Sequence, residues 1–517
     1  SCVSSLSVSS ISVDSPLFGT ASTMAPTETA APPPPHFVLV PLIGQGHTIP
    51  MGDLACLLAE RGARVSLVTT PVNAARLQGV AGRARRAMLP LEIVELPLPP
   101  ADDGLPPGGE NSDSIIRLLL ALYRLAGPLE AYVRALPWRP SCIISDSCNP
   151  WMAGVARSVG VPRLFFNGPS CFYSLCSHNV ARHGLLHDGE DEGERDAYVV
   201  PGVPVRVEMT KDTWSAALLT CMPKWEAFLQ DVREGMRTAD GAVVNTFLDL
   251  EEQFVACYRT ALGKPVWALG PFFLNNRDEE AVAARGGKDK PSAVSQSAVI
   301  AWLDTMDQST VTYVCFGSFP RMLPKQLYEV GHGLEDSGKP FLLALKESET
   351  ALPETQEWLQ ALEARTAGKG LVVRGWAPQL AILSHRAVGG FVTHCGWNSL
   401  LESVAHGVPV VTWPHSGDQF LNERLAVEVL GVGVPVRGAV VPVTPFDDSK
   451  AVAPVLRGHI AEAVSELMGC GAAAQERRRK CKEYGERAHA AIAKGGSSHE
   501  NLTQLLQSFM RSGSKEQ

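Results

Sequence analysis

Short runs of Val, Ile and Leu recur along the chain, and stretches with apolar residues at helical spacing fall between them. In the first half the runs are His36–Ile43 (HFVLVPLI), Arg64–Thr70 (RVSLVTT), Leu91–Leu98 (LEIVELPL), Ser141–Asp146 (SCIISD), Pro162–Asn167 (PRLFFN) and Gly241–Phe247 (GAVVNTF). Helical patterns follow at Met51–Glu60 and Trp151–Val159. A second series begins at Val311–Gly317 (VTYVCFG) and continues through Pro340–Leu345, Leu371–Gly375, Gly389–His394 and Pro409–Trp413. Strands that are apolar almost throughout, rather than at alternate positions, are covered on both faces, which predicts parallel sheets flanked by helices. The fold class is therefore α/β, with two Rossmann-like, doubly wound parallel-sheet domains in tandem facing a cleft. Ligands of such sheets bind beyond the carboxyl ends of the strands.

Between the two series lies a polar, charged, Gly-containing stretch, PFFLNNRDEEAVAARGGKDKPSAVSQS, whose composition suits a linker. Asp188–Asp196 and Pro201–Arg233 read as loop or helical insertions within the first half. The predicted organisation is a leader at 1–35, an N-terminal domain at 36–270, a linker at 271–300, a C-terminal domain at 301–495 and a closing helix and tail at 496–517.

Composition agrees with that division and narrows the function. A chain of 517 residues favours two or three domains, and 45% hydrophobic with 19% charged residues excludes global disorder. A formal charge of −8 argues against nucleic-acid binding through bulk basicity. Twelve cysteines with no C-x-x-C pair suit a reduced, cytoplasmic protein. No run reaches the length of a membrane span. The Ser/Thr/Ala-rich start lacks Lys and Arg until Arg61, so it matches neither a transit peptide nor a secretory signal. It reads as a disordered leader without a role in the chemistry, with Met24 a candidate start.

Several motifs are missing. The chain has no G-x-x-x-x-G-K-[ST], H-E-x-x-H or G-x-S-x-G, and no D-x-D that would hold a metal-bridged diphosphate. Gly44-Gln45-Gly46 follows a strand, but Ile49 occupies the sixth place of a dinucleotide fingerprint.

Recognition concentrates in 376–419, WAPQLAILSHRAVGGFVTHCGWNSLLESVAHGVPVVTWPHSGDQ. Trp376, Pro378, Gln379, His394, Gly396-Trp397-Asn398-Ser399, Glu402, Gly407, Pro409, Trp413, Pro414, Asp418 and Gln419 together closely resemble the signature box of plant family-1 UDP-dependent small-molecule glycosyltransferases, which have the GT-B fold. The resemblance runs from about His36 to the C-terminus, and phrases such as SDSCNPW, NTFLDLE and VCFGS resemble the branch acting on flavonoids, terpenoids, hormones and toxins. Leu400, where Thr is frequent, and His415-Ser416-Gly417, where bulkier residues are common, depart from the pattern.

The box also has a physical reading. Gly389–His394 as a strand and Gly396–Ser403 as a helix start leave a turn whose backbone N–H groups and helix dipole suit a diphosphate. The resemblance implies that His394, Gly396, Asn398 and Ser399 contact the diphosphate, with Ser318 as a further candidate. It implies that Trp376 stacks on uracil beside Ala377, that Gln379 fixes the nucleoside, and that Glu402 accepts from the ribose hydroxyls. Trp397, Asp418 and Gln419 complete the expected UDP-sugar set. Blander readings stand beside these. Ser399-x-x-Glu402 also fits a capping box, Gly317-Ser318 a plain turn, Asp418-Gln419 a helix cap, and Trp376 and Trp413 ordinary packing.

The catalytic pair is expected in the first domain. His47 lies between the first strand and helix, in GQGHTIP, which resembles the family's catalytic-histidine loop. A neutral histidine is a suitable base near pH 7. Asp146 ends SCIISD and matches the family's aspartate that pairs with that histidine, fixing its tautomer and stabilising the imidazolium. Asp146 as a turn cap is the alternative.

The resemblance thus implies an inverting transferase with no metal or cofactor. It would move glucose from UDP-glucose to a hydroxyl of a small apolar acceptor to give a β-O-glucoside, as a monomer without nucleic-acid or membrane partners. Gln419 tends to accompany glucose in the family, and Trp397 in place of Arg argues against a glucuronate donor. The rivals are a non-catalytic sugar-nucleotide-binding protein, a related twin-Rossmann enzyme and an NAD-linked dehydrogenase. Pro99–Asn111 and Phe166–His187 are the loops expected to shape the acceptor cavity, with Trp151, Phe165, Phe166, Phe172 and Tyr173 as its aromatic lining.

Overall fold

The computed structural model describes residues 34–99, 115–185, 197–210, 224–276, 278, 280, 285, 294–317, 322–438 and 455–512. Nearly all of the leader, the insertion 188–196, most of the loop 99–111, and Ser318 lie outside the described residues.

Two parallel sheets carry the fold. The first comprises β1 (His36–Val40), β2 (Arg64–Thr69), β3 (Leu91–Glu95), β4 (Cys142–Asp146), β5 (Arg163–Asn167), β8 (Gly241–Val244) and β9 (Val266–Ala268), in the order β3-β2-β1-β4-β5-β8-β9. A short antiparallel ribbon, β6 (Tyr198–Val199) with β7 (Glu208–Met209), lies in the insertion before β8. The second sheet comprises β10 (Val311–Cys315), β11 (Phe341–Leu345), β12 (Gly370–Arg374), β13 (Val388–Thr393), β14 (Val410–Thr412) and β15 (Gly433–Pro435), in the order β12-β11-β10-β13-β14-β15. These are the two sheets expected of GT-B.

The apolar runs form strands because both of their faces are covered: β1, β4, β5 and β13 are buried at every position. In each sheet the chain builds outward from the first strand, returns, and builds the other way. The reversal falls between β1 and β4 in one sheet and between β10 and β13 in the other. Loops diverge at such a switch point and leave a crevice at the carboxyl ends. β1 and β4 align with Val40 opposite Ser145, so the residues that follow β1 and end β4 meet at one edge.

β9 and β15 escape the hydrophobic pattern. Their three residues, VWA and GVP, offer too few strand-forming side chains to establish a run, whereas the equally short β14 lies inside PVVTW. The last helix also takes a place that periodicity does not reveal. Ser497–Ser512 leaves the second lobe and packs on the first sheet, where Leu502, Leu505 and Leu506 join Phe37, Leu39, Val65 and Phe166. Ser498 Oγ donates to the Gly270 carbonyl at 2.5 Å and Asn501 Nδ2 to the Ala268 carbonyl at 2.9 Å. One apolar core is continuous across the two lobes, running from Phe247 and Phe254 to Trp397, Leu400 and Leu401.

Candidate active site

The helix α1 (Gln45–Glu60) starts five residues after β1 ends and places His47 in its first turn. Asp146 is the last residue of β4 and is buried. Their side chains meet with His47 Nδ1 2.7 Å from Asp146 Oδ2. An ionised carboxylate only accepts, so Nδ1 carries the proton and Nε2 is left as the basic nitrogen. The other carboxylate oxygen accepts from the Cys148 N–H at 2.9 Å, which fixes its plane. Burial pulls the imidazole pKa down, but the Asp146 charge, its hydrogen bond and the Asp418 charge outweigh that, so His47 stays above the ordinary histidine value.

The second lobe faces this pair. The helix Trp397–Ala405 follows β13 and is N-capped by Gly396, with no side-chain cap. Gly396 has no side chain to cap the opening N–H groups, and the Trp397 N–H lies against the Asp418 carboxylate. Ser399 is the third helical residue, so the capping-box alternative fails. Its Oγ accepts instead from Gln379 Nε2 at 3.1 Å. The same amide donates to Glu402 Oε2 at 2.7 Å, and Tyr313 donates to Gln379 Oε1 at 3.3 Å. Asn398 Nδ2 reaches across the lobes to the Gly46 carbonyl at 2.7 Å, one residue before His47.

His394 sits between two glycines. A Cβ at Gly317 (φ 76) or at Gly396 would fall 2.6 or 2.5 Å from its ring, so only glycine permits this placement. Burial, with Lys346 adding to it, lowers the His394 pKa to about 4, leaving a neutral ring whose Nδ1 has no hydrogen-bond partner among the described residues. A buried ring nitrogen able to donate, beside the start of a helix, suits an anion.

Asp418 and Gln419 close the box. Asp418 precedes the helix Gln419–Arg424 but makes no side-chain cap bond. It accepts from Asn422 Nδ2 at 2.7 Å, and burial raises its pKa to about 6. Gln419 Oε1 accepts from the His415 and Ser416 N–H groups at 2.8 and 3.0 Å, which fixes the amide and orients its NH2 group. Trp376 and the buried Ala377 lie on the loop after β12, with Trp376 partly exposed.

One expected donor contact is turned elsewhere. The Trp397 side chain is buried, and its indole N–H donates to the Asn245 carbonyl at 2.9 Å, so it joins the lobes rather than facing the cleft. Phe165, Phe166 and Phe172 are fully buried and pack in the core. Residues that sequence reading missed include Asn422, Ser170 and Arg285. Ser170 Oγ donates to Asn422 Oδ1 at 2.9 Å across the lobes, and Asn422 also donates to the Cys395 carbonyl at 2.9 Å. These partners are separated by up to hundreds of positions, and no local spacing announces them. Among the described residues no group of side chains is arranged to hold a metal ion.

Residues 267–466 match the family model for UDP-glucoronosyl and UDP-glucosyl transferases. The chain is 40% identical over 487 residues to UDP-glycosyltransferase 73C12 of Barbarea vulgaris, covering 92% of this chain and 97% of that one. It is also 40% identical over 492 residues to UDP-glycosyltransferase 73C1 of Arabidopsis thaliana, covering 93% and 98%. Among solved structures, Glycyrrhiza uralensis UGT73P12 complexed with glycyrrhetinic acid 3-O-monoglucuronide superposes with a TM-score of 0.82 at 31% identity, covering 92% and 96%. Medicago truncatula UGT71G1 complexed with UDP-glucose gives 0.74 at 25%, covering 92% and 98%. With its two parallel-sheet lobes in the GT-B arrangement, the chain belongs to the plant family-1 UDP-glycosyltransferases.

Proposed function

We propose that this glycosyltransferase moves glucose from UDP-glucose to a hydroxyl of a small apolar acceptor with inversion at the anomeric carbon. The observation that carries the reading is the His47–Asp146 pair, held by the Gly46–Asn398 contact against the start of the helix Trp397–Ala405. In this reading the acceptor hydroxyl gives its proton to His47 Nε2 as its oxygen attacks the anomeric carbon. The bond from that carbon to the UDP oxygen breaks, and the electron pair leaves on the β-phosphate. Asp146 stabilises the imidazolium formed. An α-linked donor displaced once gives a β-glycoside.

The leaving diphosphate would lie against the start of the helix Trp397–Ala405, with His394, Asn398 and Ser399 as donors. Its charge is met by these groups, so the reading invokes no metal. Glu402 takes the ribose hydroxyls, Trp376 the uracil, and Asp418 with Gln419 the sugar. The enzyme acts as a monomer in the cytoplasm. No helix among the described residues is long and apolar enough to cross a membrane.

Incubation with UDP-glucose and a panel of phenols, following UDP release and product mass, tests the reading. UDP appearing only with acceptor, together with a β-linked glucoside by NMR, is the expected result. UDP binding without turnover on any acceptor would favour a sugar-nucleotide-binding protein instead.

A further inference from the structure

Arg285, in the stretch between the two sheets, lies buried between two carboxylates from different lobes. Its Nη2 donates to Asp53 Oδ2 at 2.6 Å and its Nη1 to Glu402 Oε1 at 2.6 Å. The three side chains are 13%, 6% and 7% exposed. The guanidinium also sits over the Phe273 ring, 5.7 Å from its centroid. Asp53 belongs to α1, six residues after His47, and Glu402 belongs to the helix Trp397–Ala405.

A carboxylate offers about four acceptor directions. At Glu402, Arg285 takes one on Oε1 and Gln379 takes one on Oε2. Among the described residues each oxygen keeps one direction free, which is what a vicinal diol requires of one carboxylate. The planar fork of a guanidinium fixes both partners at once, which a lysine ammonium does not do. Without it, two carboxylates would be buried close together with only Arg83, on the Asp53 side, as countercharge.

We infer that Arg285 is a positioning residue for donor binding: it aligns Glu402 toward the two ribose hydroxyls and ties that carboxylate to the helix carrying His47. The inference rests on the proposed contact between Glu402 and the ribose.

The test is calorimetric titration of the full chain with UDP and with 2′-deoxy-UDP, for the wild type, Arg285→Gln and Arg285→Lys. The wild type should bind UDP about tenfold more tightly than the deoxy nucleotide, within the range for a buried hydrogen bond to a charged group. Both variants should lose most of that preference, chiefly through weaker UDP binding. In turnover, Arg285→Lys should raise the donor KM while leaving the acceptor KM unchanged. A general loss of stability would weaken both nucleotides equally and spare their ratio. A variant that keeps the wild-type ratio therefore overturns the inference. If Arg285→Gln does not fold, Arg285→Lys, which keeps the charge, carries the same comparison. A wild type indifferent to the 2′-hydroxyl would instead remove the Glu402–ribose contact, and the inference with it, a result distinct from loss of preference in the variants alone.

Discussion

The indole N–H of Trp397 and the backbone carbonyl of Asn245 are joined across the lobes by a buried 2.9 Å hydrogen bond, although 152 positions separate them in the chain. Trp397→Phe keeps an aromatic side chain, smaller than the indole, and leaves that carbonyl without its donor. The cost should be about 1–3 kcal/mol, read as a lower melting temperature, with the order of donor preference unchanged. A changed donor preference at an unchanged melting temperature would return Trp397 to the sugar site.

His47 acts as a base only when neutral, and its pKa lies above the ordinary histidine value because of Asp146 and Asp418. The kcat/KM profile should therefore rise with pH through an acid limb above about 6.5. Asp146→Asn removes the main raising charge, so the limb should move to lower pH while the plateau falls. His47→Ala should cut turnover of a weakly acidic alcohol by about 10²–10⁴ with UDP affinity nearly unchanged. Comparable loss of UDP binding would contradict the assignment.

Ser399 is not the cap of its helix, since Gly396 holds that position. Ser399→Ala should therefore change stability by no more than about 0.5 kcal/mol. The donor KM should rise, because Gln379 loses one of its two acceptors. Thermal melts beside donor titrations separate the two effects.

Gly396 has φ −58, so alanine is acceptable to the backbone, but its Cβ would lie 2.5 Å from His394 Nε2. Gly396→Ala should displace that ring and weaken UDP binding by about tenfold or more, the equivalent of one lost polar contact. Gly471→Ala is the control: Gly471 also precedes a helix, and a Cβ there meets nothing within 4 Å. Equal UDP affinity in the two variants would show that His394 makes no donor contact.

UDP-glucose should be the best donor. The Gln419 amide is pinned by two backbone N–H groups, so its orientation discriminates between an equatorial and an axial sugar hydroxyl. A misplaced hydroxyl leaves a buried group unpaired, at about 1–3 kcal/mol. Comparing kcat/KM for UDP-glucose, UDP-galactose, UDP-xylose and UDP-glucuronate on one acceptor checks this. A preference of about tenfold for any of the others would overturn it.

Much of this architecture is legible along the chain because strands buried on both faces appear as unbroken apolar runs, as at Val38–Val40 and Cys142–Ile144. His47 and Asp146 are legible for a related reason: each sits at a strand's carboxyl end, where this topology collects its ligands. Ser399 was open to misreading because Ser-x-x-Glu is a local pattern with two uses, and only the position of the helix start decides between them. Trp397 was misplaced because a buried indole N–H finds whichever acceptor tertiary packing supplies. Arg285 was invisible because its ties to Asp53 and Glu402 span 232 and 117 positions.

The return of Ser497–Ser512 to the first sheet has a mechanical consequence. The chain passes between the lobes at two separate places, once after Gly270 and again before Ser497. A single connection acts as a swivel and leaves three rotations open. The second crossing ends buried in the first sheet's core and removes part of that freedom, so cutting the chain before Ser497 would leave Phe37 and Leu39 without the cover of Leu502 and Leu505.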